Sequence, residues 1–409
     1  MKKLFFIPCI IGASLLASCS SESELADNGA SDALTSTQWS HQIANSNVEI
    51  KFGSKIKGTR AIVESDDQQN FTLTNMGLFC LAIAKNNINP NEANIDYTQG
   101  SAGYKYSVWV DNAEVKTEKD AGNNKTILTW ADGTKHYYPT GNWHKYAFYG
   151  YYPKQDAANI IYDKKSVSVM FEDLDGTTDI IYGKAEDLNT PYAYSAYYFR
   201  QEGNEDKVPT VAFAHKLMRL TFAIKPGGKD KEAAKTMGVT KVEVVKVPTK
   251  GTLVLADKDV PANAGSINFD WNNKDDLADL ALKAKNEATS TEQKGLEPDF
   301  TAYDETHATK ACWVKDDPVD IGQGIMIPVP DYENNPDYKY QLKITLINKD
   351  GQTFEPEYPM DLNTNNGKEF AAGTSYKVTM TINGPKEIQL NATLEKWKED
   401  DTTIGGIIL

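Results

Sequence analysis

The sequence predicts an all-β chain: two tandem β-sandwich domains with few short helices. Three observations predict it. Apolar and polar residues alternate with a period of two along one segment after another, turn-forming dipeptides such as Asp111-Asn112 and Asp132-Gly133 interrupt them at short intervals, and the first half shows no long 3.6-residue period. Alternation marks a half-buried strand, because successive side chains in a strand point to opposite faces. Many short strands with frequent turns build a sandwich.

The chain opens on an export signal. Met1-Lys2-Lys3 is basic, Leu4 to Leu16 is apolar but too short to span a bilayer comfortably, and Leu16-Ala17-Ser18-Cys19 follows. This last run resembles a lipobox, in which the chain is cut before a cysteine that then carries lipid. An ordinary secretory cleavage that happens to precede Cys19 is the alternative. No later run is long enough for a transmembrane helix. The net charge of −14 over 409 residues argues against nucleic acid and anionic lipid headgroups as partners. Of the 4 cysteines, Cys9 lies in the signal and Cys19 at its end. Cys80 sits in the apolar run Gly77 to Ile83, which reads as a buried strand and makes it a buried thiol. A disulfide to Cys312 is the other reading an oxidising compartment allows.

Ser20 to Ser46 has few large apolar residues and reads as a tether. Val48 to Phe52 alternates as a short strand, and Gly53 to Ala61 reads as a loop ending in Thr59-Arg60-Ala61. Strands follow at Phe71 to Asn75, Leu78 to Ala84, Tyr104 to Val110, Thr126 to Trp130, Val167 to Phe171 and Ile180 to Tyr182, with an aromatic-rich run from Tyr137 to Tyr152 between them. In the second half, Val211 to Ile224 reads as one long strand bulged near Met218. Val242 to Val247, Thr252 to Leu255, Gly324 to Pro330 and Tyr340 to Leu346 are further strands; Asp275 to Ala288 reads as a helix, and Phe300 to Asp317 as irregular. The expected divisions are residues 1–18 as signal, 19–60 as tether and first strand, 61–207 as the N-terminal domain and 208–409 as the C-terminal domain. At the C-terminal end, Tyr376, Val378, Met380 and Ile382 alternate with polar residues, Asn383-Gly384-Pro385 turns, and Ile388, Leu390, Ala392 and Leu394 alternate again. Ile404 to Leu409 is an apolar tail, unusual for a terminus.

Several of these features together are similar to one family. They are Cys19, the strand and Arg60 loop of Val48 to Ala61, the Phe213-x-His215-x-Leu217-x-x-Leu220-x-Phe222 strand, and Phe370-x-x-Gly373-x-x-Tyr376 before two long strands and Trp397. The chain resembles the Bacteroidales fimbrillins, the lipoprotein pilins of the type V pilus, over most of its length. The resemblance implies transthyretin-like sandwiches, export through the periplasm, a lipid on Cys19 that holds the chain to the outer membrane before maturation, and a place in the surface fimbrium. It implies that a trypsin-like, Arg-specific protease cuts between Arg60 and Ala61. The first strand, with Val48, Ile50 and Phe52, then leaves a groove. A neighbouring pilin subunit fills it with a donor strand drawn from Ile388, Leu390, Leu394, Trp397, Ile404, Ile407, Ile408 and Leu409. A host or glycan receptor is a further implied partner. The length of the middle region departs from the family and leaves stalk, tip and anchor roles open.

The physical chemistry of that step can be read from the residues. Val48, Ile50 and Phe52 each contribute about 1.5–3 kcal/mol when buried. Their removal exposes unpaired backbone groups that template another strand. Taken alone, Arg60 is equally a solvated loop arginine.

Catalysis, cofactors and metals find no support. The 5 histidines (His41, His136, His144, His215, His307) lie apart, and there is neither a Gly-x-Ser-x-Gly elbow nor a phosphate loop. Glu172 to Asp179 reads as an acidic turn, with calcium as its alternative. The aromatic run and Tyr192, Tyr194, Tyr197, Tyr198 and Phe199 read as core and cross-strand pairs. As a sugar-stacking face they would instead make the chain a permanently lipid-anchored, glycan-binding outer-membrane lipoprotein.

Overall fold

The structure, a computed structural model, describes residues 48–57, 73–85, 95–98, 107–120, 125–139, 144–228, 230–270, 272–282, 301–304, 307–328, 340–355, 357–359, 370–384 and 387–395. The chain is mainly β. In the first part the strands are β1 (Phe52–Lys57), β2 (Met76–Lys85), β3 (Val108–Asp120), β4 (Lys125–Trp130), β5 (His144–Tyr152), β6 (Ile160–Tyr162), β7 (Ser166–Phe171), β8 (Ile181–Ala185) and β9 (Thr210–His215). One sheet runs β1-β4-β3-β2-β5-β8-β9 and closes into a barrel, because β1 pairs antiparallel with β4 on one side and parallel with β9 on the other.

The continuous apolar run around Cys80 follows from where β2 sits. Leu78, Cys80 and Ala82 belong to the cluster inside the barrel, and Phe79 and Leu81 to a second cluster on its outer face. A strand covered on both faces loses its alternation. β5 behaves in the same way: Tyr146 and Phe148 point in, while Ala147, Tyr149 and Tyr151 point out into the second cluster. The aromatic run is therefore largely core.

The remaining elements are α1 (Ala196–Phe199), β10 (Met218–Pro226), α2 (Lys231–Ala234), β11 (Met237–Pro248), β12 (Gly251–Asp257), β13 (Ile267–Asn268), β14 (Leu277–Ala281), β15 (Thr301–Asp304), β16 (His307–Trp313), β17 (Val319–Met326), β18 (Gln341–Asn348), β19 (Thr353–Phe354), β20 (Glu357–Pro359), β21 (Ser375–Gly384) and β22 (Glu387–Glu395). The sheet β17-β10-β21-β22 faces the sheet β15-β16-β11-β18-β19, with β14 paired to β11 and β20 to β18. Alternate residues fill the space between them: Leu220 and Phe222 of β10 and Val378 and Met380 of β21 meet Val242 and Val244 of β11 and Leu342 and Ile344 of β18. A further sheet, β13-β12-β7-β6, takes strands from both parts of the chain. Val167 and Val169 of β7 and Leu253 and Leu255 of β12 cover the outer face of β2 and β5.

Several expectations are corrected. Val211 to Ile224 is not one bulged strand: β9 closes the barrel, β10 enters the next sheet, and the backbone crosses between them at residues 216–217. Gly53 to Lys57 is strand rather than loop, because β9 and β4 offer it hydrogen-bond partners that composition cannot reveal. Leu277–Ala281 pairs with β11 as a strand rather than continuing a helix, a tertiary partner overriding helical spacing. Thr301–Asp304 and His307–Trp313 pair with each other where an irregular segment was expected. Asp111-Asn112 lies inside β3, at an irregularity in its register with β2, where Asn112 takes a positive φ of 45°. Cys80 and Cys312 are not bridged; they lie in different cores.

The Phe370-Gly373-Tyr376 motif has a structural explanation. Gly373 adopts φ +69°, and a Cβ there would stand 3.1 Å from the carbonyl oxygen of His215. Its N–H donates to the Leu217 carbonyl at 2.8 Å. The Tyr376 hydroxyl accepts from the Ala371 N–H at 2.9 Å, and the Phe370 and Tyr376 rings meet edge to face at 4.7 Å. The motif clasps the crossing from β9 to β10.

Close packing inside the barrel gives a test. A Cβ added at Gly183 of β8 would lie 2.6 Å from the fully buried ring of Phe213. Gly183→Ala is expected to cost about 1–3 kcal/mol by overpacking, read as a lower urea midpoint at unchanged slope.

Candidate functional site: the barrel seam

The strand that closes the barrel is also the first strand of the described chain. Its approach is held by the segment after β4: Glu49 bridges to Tyr137, the Ile50 N–H donates to the His136 carbonyl at 2.8 Å, and the Tyr138 N–H donates to the Val48 carbonyl at 2.9 Å. β1 then pairs Phe52, Gly53 and Ser54 with Leu128, Ile127 and Thr126 of β4. On its other side it pairs residues Gly53 to Lys57 with Thr210 to Ala214 of β9.

The inward face of this segment is apolar until Ser54. Ile50 and Phe52 are each 3% exposed. The Phe52 ring meets Phe148 edge to face at 4.6 Å and lies 6.5 Å from Tyr138 and 6.4 Å from Tyr194. Tyr138 in turn stacks on Phe199 of α1 at 4.4 Å. Burial pushes the phenols of Tyr138 and Tyr194 well above their ordinary range, so the slot stays neutral at any physiological pH. Ser54 is also buried, yet its hydroxyl has no hydrogen-bond partner among the described residues. Outside, Glu49 is paired with Lys135 at 3.1 Å, and Lys51 and Lys55 face solvent.

The other expected site residues are distributed as follows. Val48, Ile50 and Phe52 come together at the seam. Ile388 and Leu390 of β22 pack into the second sandwich, opposite Ile382 and Met380 of β21. Leu394 pairs with Tyr376 in the backbone register. Cys19, Arg60, Ala61, Trp397, Ile404, Ile407, Ile408 and Leu409 lie outside the described residues. Sequence reasoning missed Ser54 and Ile56, although the alternation that starts at Val48 runs on through both. It also missed the lining of Leu128, Val211 and Phe213, which only the barrel closure brings together.

The chemically minded alternatives find these partners. Among the described residues no three His, Cys, Asp or Glu side chains converge as metal ligands. In the acidic turn, Glu172 pairs with Lys250, Asp175 caps Thr177, and Asp179 is buried against His215. His136 hydrogen-bonds Thr134 and Asp132 and stacks on Trp130. Among the described residues no helix is long and apolar enough to cross a membrane.

A family model described as fimbrillin-like matches residues 59–397. The chain belongs to the fimbrillin-like family. Solved structures similar to this fimbrillin-like chain include a fimbrial protein from Bacteroides vulgatus, at 13% identity and TM-score 0.45, covering 85% of this chain and 99% of that one. A protein described as a cell adhesion protein from Bacteroides uniformis is 16% identical at TM-score 0.42, with 86% and 99% covered. The fimbrial anchor protein Mfa2 from Porphyromonas gingivalis is 7% identical at TM-score 0.31, with 81% and 90% covered. No curated protein matches the chain significantly.

Proposed function

We propose that this fimbrillin-like chain is a structural and adhesive subunit of a cell-surface pilus, assembled by strand exchange at the barrel seam. It travels through the periplasm to the outer membrane as a lipoprotein anchored through Cys19. An Arg-specific, trypsin-like protease then cuts between Arg60 and Ala61. The segment 19–60 departs with β1, and a strand from the C-terminal end of a neighbouring subunit takes its place. No catalytic residue, metal or cofactor has a role in this reading.

One observation carries it: the strand that closes the barrel comes first in the described chain and is hydrogen-bonded on both sides to strands that come later. A cut after Arg60 would leave it held by noncovalent contacts alone. Its departure would expose the backbone of β4 and β9 and the Phe148, Tyr138 and Tyr194 rings, a combination that selects another alternating strand. The burial of Tyr138, Tyr146, Phe148, Tyr149 and Tyr151 favours this reading over a permanently lipid-anchored glycan binder, whose stacking face would need exposed rings.

Mild trypsin treatment of the chain beginning at Ser20 tests the reading. The expected result is one clipped product starting at Ala61 and a ladder of oligomers that survive SDS without heating, since buried strands separate slowly. Clipping without a ladder assigns the chain to a tip or anchor position. An Arg60 that resists trypsin while other loops are cut sinks the maturation step.

A further inference from the structure

Among the described strands two pairs run parallel, β1 with β9 and β10 with β21, and every other pair runs antiparallel. A hairpin cannot make a parallel pair; it takes a long connection, so the whole fold imposes it. Both parallel pairs fall on one continuous stretch of chain. β9 ends at His215, β10 begins at Met218, and residues 216–217 join them. β1 lies along β9 from Gly53 beside Thr210 to Lys57 beside Ala214. β21 lies along β10 from Ser375 beside Arg219 to Ile382 beside Pro226. The Gly227 N–H prolongs the second pairing by donating to the Ile382 carbonyl at 2.8 Å.

This arrangement decides how the chain answers a pull. Tension applied at the N-terminal end of β1 passes to β9 and leaves through the C-terminal end of β9, into β10. The two loads act at opposite ends of the paired stretch, so the strands are sheared and their hydrogen bonds must yield together. On the other side, β10 is loaded at its N-terminal end and β21 at its C-terminal end, which is shear again. Loads at the same end of a pair would part the bonds one at a time. The crossing between the two pairs is tied down. Leu217 is fully buried, the Lys216 N–H donates to the Ile180 carbonyl at 2.7 Å, and the Leu217 carbonyl accepts from the Gly373 N–H at 2.8 Å. The Arg219 N–H donates to the Thr374 carbonyl at 3.0 Å, and Arg219 Nε donates to Gln323 Oε1 of β17 at 2.8 Å. Tension arriving from β9 is therefore shared with the start of β8, with the segment before β21 and with β17.

We propose that the chain has the further function of carrying tension. Its load path is β9, residues 216–217 and β10, and the two parallel pairs are where force enters and leaves. The path belongs to the uncut chain with β1 seated, and it stands whether or not another strand later replaces β1. The seam is the shorter of the two pairings, Gly53–Lys57 against Ser375–Ile382, so it yields first.

Single-molecule pulling on the uncut chain beginning at Ser20 tests the path, because it changes the direction of load and leaves the paired strands in place. Handles are attached through pairs of introduced cysteines; the native Cys80 and Cys312 are buried. Ser46→Cys with Lys225→Cys shears the seam and loads β9, the crossing and β10. Ser46→Cys with Thr381→Cys adds the transfer to β21. Ser46→Cys with Val208→Cys draws apart the N-terminal ends of β1 and β9, breaking the same bonds in sequence. Val208 and Lys225 are exposed, so handles there disturb no packing. The first two pairs are expected to rupture at equal force, severalfold above the third, since forced unfolding reads the barrier along the direction pulled. A force for the Val208 pair equal to or above the others overturns shear loading at the seam. A Thr381 pair that ruptures well below the Lys225 pair shows that β21 gives way before the seam, and overturns the exit of the path. Either failure leaves the strand-exchange reading standing, because that reading concerns the clipped chain.

Discussion

Phe52→Ala is expected to destabilise the uncut chain by about 3–5 kcal/mol, a large share of the stability of any domain. The ring is 3% exposed and sits edge to face on Phe148 at 4.6 Å. Its other aromatic neighbours come from separate places in the chain: Tyr138 from the segment after β4, and Tyr194 from just before α1. Side chains held from several directions cannot collapse together into the hole, so the cavity cost adds to the lost transfer energy. Urea unfolding of the uncut chain reads the effect, with Lys55→Ala, an exposed residue on the same strand, as the control expected to stay within about 0.5 kcal/mol.

The same substitution carries a second expectation that a purely structural role for Phe52 would not produce. If β1 leaves on maturation, Phe52 is absent from the assembled form. Oligomers grown from the Phe52→Ala chain should then resist SDS and heat as the parent oligomers do, although the uncut chains differ. The weakened strand should also leave faster after clipping. A loss below about 1 kcal/mol in the uncut chain would contradict the packing described at the seam. Oligomers that inherit the defect would show that β1 stays in place.

How much of this could be read from residues alone is best judged at β1 and β9. The alternation Val48, Ile50, Phe52 announces a strand, but residues 48–51 form only an isolated bridge at Glu49 and the strand itself, β1, begins at Phe52. Its continuation to Lys57 is hidden because Gly53, Ser54 and Lys55 are common in loops, and only the presence of β9 alongside makes them strand. For the same reason the parallel pairing of β1 with β9 leaves no local signal: the partners are more than 150 residues apart in sequence. Val211 to Ile224 reads as one strand because both faces of the crossing are apolar and no glycine or proline interrupts it. The barrel and the sandwich meet there, so a run that would elsewhere be a single strand is shared between two sheets. The motif Phe370-Gly373-Tyr376 was legible as a pattern, but its purpose, clasping the crossing, depends on contacts with His215 and Leu217.

His215→Leu is expected to cost about 3–5 kcal/mol, comparable to the loss at Phe52 although no cavity of that size is created. His215 ends β9, and its Nδ1 is hydrogen-bonded to the Asp179 carboxylate, with the two side chains 1% and 0% exposed. Among the described residues the second carboxylate oxygen of Asp179 has no hydrogen-bond partner, and His215 is the group that keeps this carboxylate in contact with a donor. Leucine of similar bulk would leave the carboxylate buried against apolar surface, and an orphaned buried charge is far more costly than the net worth of the pair. Removing both partners is therefore expected to be milder than removing one: Asp179→Leu combined with His215→Leu should recover at least half of the loss, and urea midpoints of the parent, the two single variants and the double variant close the cycle. The site magnifies the effect. The Lys216 N–H donates to the Ile180 carbonyl at 2.7 Å and the Gly373 N–H to the Leu217 carbonyl at 2.8 Å, so the residues next to the pair tie β8 to β9 and the start of β21 to the crossing. Loosening it frees the edge of β9 that β1 leans on, and clipped His215→Leu should release β1 sooner than the clipped parent. A double variant no more stable than His215→Leu alone would show that the histidine matters for its shape and not for the charge it faces.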